Sequence, residues 1–106
     1  MKALPALLLG LALPVWGASL PSYELDIRDG HFTPPSLTVP AGQRFKIIVH
    51  NSGQGPVEFE SLPLRVEKVL GPGTRSFVVI HPLKPGRYAF FDEFHLDLPG
   101  GYIDAQ

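Results

Sequence analysis

The chain has 106 residues, a length that accommodates one small domain. Nine Lys and Arg residues against ten Asp and Glu residues give a formal net charge of −1, and no basic stripe runs along the sequence, which excludes nucleic acid as an expected partner. The chain has no cysteine and its single methionine is Met1, so a disulfide framework and a thiolate metal centre are both excluded.

The first 18 residues have the pattern of a cleavable secretory signal peptide. Lys2 gives a positive start, residues 3–15 form an apolar run, and small residues suitable for cleavage follow at 17–19. The apolar run is shorter than the ~20 residues that a membrane-spanning helix needs, and prolines interrupt it. We therefore predict a signal peptide over residues 1–18 and one exported domain over residues 19–106 that does not span a membrane.

Turn residues punctuate the remaining chain at short intervals, and the runs between them are rich in β-branched and aromatic residues. Several runs alternate apolar with polar residues, which predicts β-strands. The predicted strands lie near residues 23–28, 36–39, 44–51, 57–60, 65–70, 75–81, 86–92 and 101–105. Seven or eight strands with this spacing indicate an all-β Greek-key β-sandwich, with a helix in one of the middle segments as the alternative.

Acidic residues on one predicted strand share a face. Alternate side chains of a strand point to opposite sides, so Val57 and Phe59 share one face while Glu58 and Glu60 share the other. Two acids are therefore predicted to project together. Glu67 precedes Lys68, and the two must point to opposite faces of the next strand.

The segment from Pro85 to His95 is the most informative part of the sequence. A Pro-Gly turn begins a strand with buried-type aromatic residues, and Asp92, Glu93 and His95 follow at its far end. Carboxylates with one imidazole suit hard or borderline ions such as Fe(II), Zn(II) and Cu(II). The structural alternatives are that the two acids form a turn and that the histidine is held by hydrogen bonds.

This segment resembles the C-terminal copper loop of cupredoxins, in which a Pro-Gly-x-Tyr-x-Phe strand ends in a Cys-x-x-His pair. Residues 31–42 resemble the opening hairpin of that family, and residues 45–51 resemble the strand whose asparagine precedes the first histidine ligand. The resemblance covers essentially the whole mature chain. It implies a cupredoxin-like sandwich.

The departures from the cupredoxin pattern concern the metal ligands. Asp92 stands where the family has its cysteine, Glu58 stands where the first histidine is expected, and no ligand occupies the methionine position near Pro99. Only His95 keeps the expected type. Blue copper depends on a copper–thiolate bond, so the expected site is not a type 1 centre.

A narrower resemblance links residues 58–61, 67–68, 82–86 and 90–95 to the cupredoxin-like proteins of bacterial ferrous-iron uptake, of the EfeO and FtrB types. It implies a periplasmic protein that binds ferrous iron, or oxidises it, during delivery with a periplasmic iron-binding partner to an inner-membrane Ftr-type permease. The implied cofactor is iron, copper or both. The expected metal-site residues are Glu58, Asp92 and His95, with Glu60, Glu67 and Glu93 as further ligands or as groups that orient them.

Three other functions stay open. The first is a periplasmic copper-binding protein. The second is a metal-free interaction module whose acidic loop docks on a basic patch, in which case Glu58 and Glu60 would lie on a solvated strand face. The third is a ferroxidase, although nothing in the sequence indicates a route for electrons, so a binding and delivery role is favoured over catalysis.

Overall fold

The computed structural model describes residues 20–106, and the predicted signal peptide lies outside them. Within these residues there is no helix, so none is long and apolar enough to cross a membrane, and the helical alternative for a middle segment is wrong. The strands are β1 (Ser22–Arg28), β2 (His31–Thr33), β3 (Ser36–Val39), β4 (Phe45–Asn51), β5 (Val57–Ser61), β6 (Val66–Leu70), β7 (Arg75–Ile80), β8 (Gly86–Asp92) and β9 (Gly101–Ala105). All eight predicted strands are present, and β2 is an additional one.

The strands form two sheets. One sheet has four strands in the order β2-β1-β4-β7, and the other has five in the order β3-β9-β8-β5-β6. The pairs β1–β4 and β3–β9 are parallel, and the other pairs are antiparallel. The predicted all-β sandwich is thereby confirmed.

The inner faces of both sheets supply one hydrophobic core. Along β4 buried and half-buried residues alternate, and Phe45, Ile47 and Val49 point inward. The aromatic rings interlock at one end of the sandwich, where Phe90 meets Phe32 at 4.9 Å and Phe59 at 5.3 Å between ring centroids. Packing of Phe32 on Phe90 explains why the short β2 forms, and it fixes the end of β8 from which the acidic segment emerges.

Candidate metal centre

Three glutamates meet on the outer face of the five-stranded sheet, and we call Glu58, Glu60 and Glu67 the carboxylate cluster. One carboxylate oxygen from each lies within 4.8 Å of the other two. Glu58 and Glu60 are two residues apart on β5, and Glu60 is the register partner of Glu67 on β6. Strand alternation and cross-strand register together therefore bring the three side chains to one place.

The carboxylate cluster concentrates negative charge, and the pKa values of Glu58 and Glu60 are raised. Partial burial raises the pKa of Glu58, followed by a hydrogen bond with Glu67 and the charges of Glu67, Glu60 and Glu93. The pKa of Glu60 is raised by partial burial, then by the charges of Glu93 and Glu67 and a hydrogen bond with Glu93. Every one of these causes raises the pKa, and none is a neighbouring cation. Glu93 is therefore a fourth acid beside the cluster.

The carboxylate cluster borders an open depression of about 250 Å³ at the turn between β5 and β6. Glu60, Glu67 and Arg65 are among the residues that line it, and Arg65 has a φ of 58°. None of the ion pairs found among residues 20–106 involves a member of the cluster. The depression thus leaves carboxylate oxygens of the cluster accessible from solvent.

Asp92 lies on the opposite face of the same sheet. It is the register partner of Phe59, is only 2% exposed, and points toward the interior. Its Oδ1 accepts hydrogen bonds from the backbone N–H groups of Glu58 at 2.9 Å and Phe94 at 3.0 Å. Its Oδ2 lies 2.8 Å from Nδ1 of His95. The Asp92 carboxylate therefore ties β5, the segment after β8 and an imidazole together.

His95 is held from a second side by the turn between β1 and β2. A Cβ atom at Gly30 would lie 2.6 Å from Cγ of His95 and 2.7 Å from Cδ1 of Leu98, so the ring lies against bare backbone. Gly30 has a φ of +90°, a conformation that glycine adopts readily. The side chain of His95 remains 30% exposed. Asp-Gly pairs are typical of turns, and nothing in the sequence indicated this contact.

The structure divides the six predicted site residues into two groups. The outer face holds one group, which consists of Glu58, Glu60, Glu67 and Glu93. Asp92 and His95 form the other group, on the inner side at the C-terminal end of β8. The two groups join through the backbone, because Asp92 binds the N–H of Glu58 and the N–H of Glu93 donates to the carbonyl of Glu58 at 2.9 Å. In the part of the chain that the structure describes, only the carboxylate cluster brings three possible ligand atoms within 4.8 Å. The expected shell of Glu58, Asp92 and His95 is therefore not assembled around one point, and the ligand role of each residue stays a prediction.

The donor set does not fit a type 1 copper centre. Such a centre needs a cysteine thiolate, and this chain has no cysteine. The outer face offers oxygen donors alone. The one nearby imidazole, that of His95, lies on the other side of the sheet beside Asp92. Oxygen donors of this kind suit hard cations, and imidazole extends the range to borderline ones.

Comparison with known proteins agrees with the architecture. The profile of the family described as "Cupredoxin-like domain" matches residues 4–103. An uncharacterised protein of Rickettsia prowazekii is 36% identical over 80 residues, which are 76% of this chain and 64% of that protein. The chain thus spans less than two thirds of the length of this curated relative.

Solved structures share the fold at low sequence identity. Auracyanin B has a TM-score of 0.70 at 13% identity, with 85% of this chain and 92% of that chain covered. The metal-binding domain of a Cu(I)-exporting P-type ATPase of Streptococcus pneumoniae gives 0.70 at 14% identity, covering 80% and 84%. A purple cupredoxin of Nitrosopumilus maritimus gives 0.61 at 18% identity, covering 79% and 99%.

Proposed function

Because the chain belongs to the cupredoxin-like domain family, we propose that it is a metal-binding protein that holds a hard or borderline cation through carboxylate oxygens. The observation that carries the proposal is the carboxylate cluster, in which one oxygen each from Glu58, Glu60 and Glu67 lies within 4.8 Å of the others. Three oxygens at this spacing can contact one ion from one side, and water can fill the remaining positions.

Electrostatics supports a bound cation. Glu58 and Glu60 have raised pKa values because burial and neighbouring acids disfavour their charged forms. A cation would remove this repulsion and would favour the deprotonated carboxylates that coordinate it. The charge of Glu93 beside Glu60 adds to this repulsion.

We favour iron as the cation. The chain lacks the sulfur ligands that soft Cu(I) prefers, whereas the carboxylate cluster offers only oxygen donors, which suit harder cations. Oxygen ligands stabilise Fe(III) relative to Fe(II), so the same site would ease oxidation of ferrous iron. An electron acceptor would still be required, and the proposed activity is therefore binding.

The proposed role is periplasmic delivery of ferrous iron to a membrane permease. The predicted signal peptide supports export, and the resemblance to proteins of ferrous-iron uptake supports the pathway. The cluster lies at an open surface, where Glu67 is exposed. An open oxygen site allows a cation to be exchanged with a partner, as delivery requires.

Anaerobic titration of the exported protein with Fe²⁺ tests the proposal. The double variant Glu60→Gln/Glu67→Gln should bind Fe²⁺ at least about tenfold more weakly, because each neutral amide is a poorer ligand of nearly the same shape. Glu24→Gln is the matched control, since Glu24 lies on the other sheet and pairs with Arg75. Equal affinity in the double variant and the wild type would exclude the carboxylate cluster as the site.

Copper(II) is the second candidate. It is favoured by the imidazole of His95, and solved structures of the same fold include a copper-binding protein and the metal-binding domain of a Cu(I)-exporting ATPase. In this case Cu²⁺ should bind the wild type and bind His95→Gln at least about tenfold more weakly, as measured by competition with a chelator. Failure of both Fe²⁺ and Cu²⁺ to bind would favour the metal-free interaction module.

A further inference from the structure

A second depression lies on the outer face of the five-stranded sheet, between β8, β9 and the segment that precedes β9. We call it the aromatic depression, and its lining includes Ala89, Phe91, Pro99, Gly100 and Tyr102. Its volume of about 330 Å³ is at the lower end of the range for ligand pockets. The sheet thus has an apolar recess on a face that is otherwise marked by charged side chains.

The aromatic depression is built into the backbone. Ala89 is the register partner of Tyr102 and is exposed, so a single methyl group stands between the rings of Phe91 and Tyr102. A Cβ atom at Gly100 would overlap the carbonyl oxygen of Phe90, so this segment lies directly against β8 without a side chain. The recess is therefore preformed and needs no movement of the chain.

Tyr102 forms a fixed wall of the aromatic depression. Its ring centroid lies 4.6 Å from Cζ of Arg87, and Arg87 donates to both carboxylate oxygens of Asp104, at 2.7 and 3.2 Å. The side chain of Tyr102 is nevertheless 44% exposed. Oriented, exposed aromatic residues are frequent anchors of protein interfaces. Because Asp104 balances the charge of Arg87, this side of the depression adds no net charge.

The opposite side of the aromatic depression is acidic. A row of register partners crosses the sheet there, in which Glu67 faces Glu60 and Glu60 faces Phe91. Neighbouring strands are about 4.8 Å apart, so Glu60 is one strand away from the ring that lines the recess. None of the ion pairs found among residues 20–106 involves Glu60 or Glu67. The rim therefore carries negative charge that a partner can balance.

We propose that the aromatic depression and Glu60 form a docking surface for a partner polypeptide in which an aromatic side chain is flanked by lysine or arginine. The partner's ring lies between Phe91 and Tyr102, and its basic group pairs with Glu60. In an extended segment, side chains two residues apart share a face at about 6.6 Å, which is more than one strand spacing and less than two. Charge selects the partner, and burial of the ring holds it. This inference goes beyond metal binding and does not depend on it.

Titration of the metal-free exported protein with the peptide Ac-Lys-Ser-Phe-Ser-Lys-NH₂ tests the proposal. In ¹H–¹⁵N spectra the largest changes should occur at the amides of Ala89, Phe91, Gly100 and Tyr102. Control peptides with alanine in place of phenylalanine, or glutamate in place of both lysines, should bind at least about tenfold more weakly, because each lacks one of the two interactions. Changes centred on the other sheet, or equal binding of the glutamate peptide, would overturn the inference.

Variants of the protein test the surface from the other side. Ala89→Leu fills the recess from an exposed position and should weaken binding of the lysine peptide at least about tenfold. Ser22→Leu is the matched control, because it adds the same side chain at an exposed position of the other sheet and should leave the affinity unchanged. Glu60→Gln should weaken binding and reduce its dependence on salt. Unchanged affinity in Ala89→Leu, with a conserved amide spectrum elsewhere, would contradict the proposal.

A second copy of the chain is the competing occupant. Concentration-dependent changes at the same amides without peptide, together with a doubled mass in sedimentation equilibrium, would assign the surface to self-association and overturn the proposal. Every peptide titration is free of metal, so failure of Fe²⁺ to bind the protein would leave its outcome unaffected. Failure of the peptide to bind would likewise leave the metal-binding proposal standing, and the two results are distinguishable.

Discussion

Glu60 lies directly opposite Glu67 in the antiparallel pair of β5 and β6, with both carboxylates on the outer face of the sheet. Like charges at directly opposed positions destabilise a strand pair. A protein that keeps two acids in this arrangement, with Glu58 beside them, retains a feature that weakens its metal-free form.

Removal of one opposed charge should stabilise the metal-free protein. Glu67→Gln is expected to raise Tm by on the order of 2 °C at pH 7, the size of one unfavourable cross-strand pair in a domain of this length. Thermal unfolding monitored by circular dichroism measures the change. Glu24→Gln removes an acid that pairs with Arg75 on the other sheet and should give no increase. A lower Tm for Glu67→Gln would contradict the repulsion.

The metal-free protein should become more stable as the pH falls from 7 toward 5. Glu58 and Glu60 have pKa values raised above their ordinary 4.5, so on acidification the folded protein takes up protons before the unfolded chain does. Their repulsion is relieved as the pH falls through the folded pKa values, and the gain is complete below 4.5. Asp104 does not oppose this trend, because Arg87 lowers its pKa below the ordinary 3.8.

Urea denaturation at several pH values between 5 and 7 checks this prediction. The double variant Glu58→Gln/Glu60→Gln should show a smaller gain in unfolding free energy than the wild type over this range, because the two groups no longer titrate. Equal pH slopes for the two proteins would show that these carboxyls do not control the effect. With saturating Fe²⁺ present, the wild-type trend should reverse, since protons and the cation compete for the same oxygens.

Asn51 should be a stability determinant of the loop before β5. Its fully buried amide donates to the carbonyls of Gly55 at 2.9 Å and Leu70 at 3.0 Å, and its Oδ1 accepts the N–H of Gly53 at 3.0 Å. Asn51→Ala leaves these groups without their partners and should cost about 2–4 kcal/mol in chemical denaturation. Thr74→Ala, which removes an exposed hydrogen bond to Gly71, should cost about 0.5 kcal/mol or less. Similar costs for both variants would contradict the burial argument.

Substitutions at two glycines should distinguish the energetic cost of backbone strain from the cost of a clash with His95. Gly30 and Gly73 both have positive φ angles, +90° and +76°, but only at Gly30 would a Cβ atom meet neighbouring atoms. Gly73→Ala should therefore cost about 1 kcal/mol from backbone conformation alone, and Gly30→Ala should cost about 1–3 kcal/mol more. Denaturation measures the costs, and the ring proton shifts of His95 should change only in Gly30→Ala. Equal costs and an unmoved ring would argue against the packing of His95 on Gly30.

Strand alternation predicted the faces correctly, because it depends only on local geometry. Glu58 and Glu60 project together, and Phe59 points into the core, as the sequence indicated. The same rule could not show that Glu60 faces Glu67, because register between strands depends on the turn that joins them. The short β2 was missed since three residues carry too little pattern, and its packing of Phe32 on Phe90 is a tertiary contact.

The sequence could not predict that the site residues divide between the two faces of the sheet, and the reason is again geometric. Asp92 and Glu93 are adjacent, and adjacent residues near a strand end point in opposite directions, so the two acids serve different sides of the sheet. Asp92 and His95 were expected to act together with Glu58. The structure instead brings the backbone of Glu58 to Asp92 and leaves its carboxylate with Glu60 and Glu67.

The parallel pairing of β3 with β9 has a consequence for biosynthesis. Among the strands of residues 20–106, β3 pairs with β9 alone, so it stays unpaired while the ribosome adds the roughly sixty residues between them. Ile103 of β9 is completely buried, and the sandwich is incomplete until it is in place. The nascent chain therefore emerges without a finished fold, and the five-stranded sheet closes only when its last strand has been made.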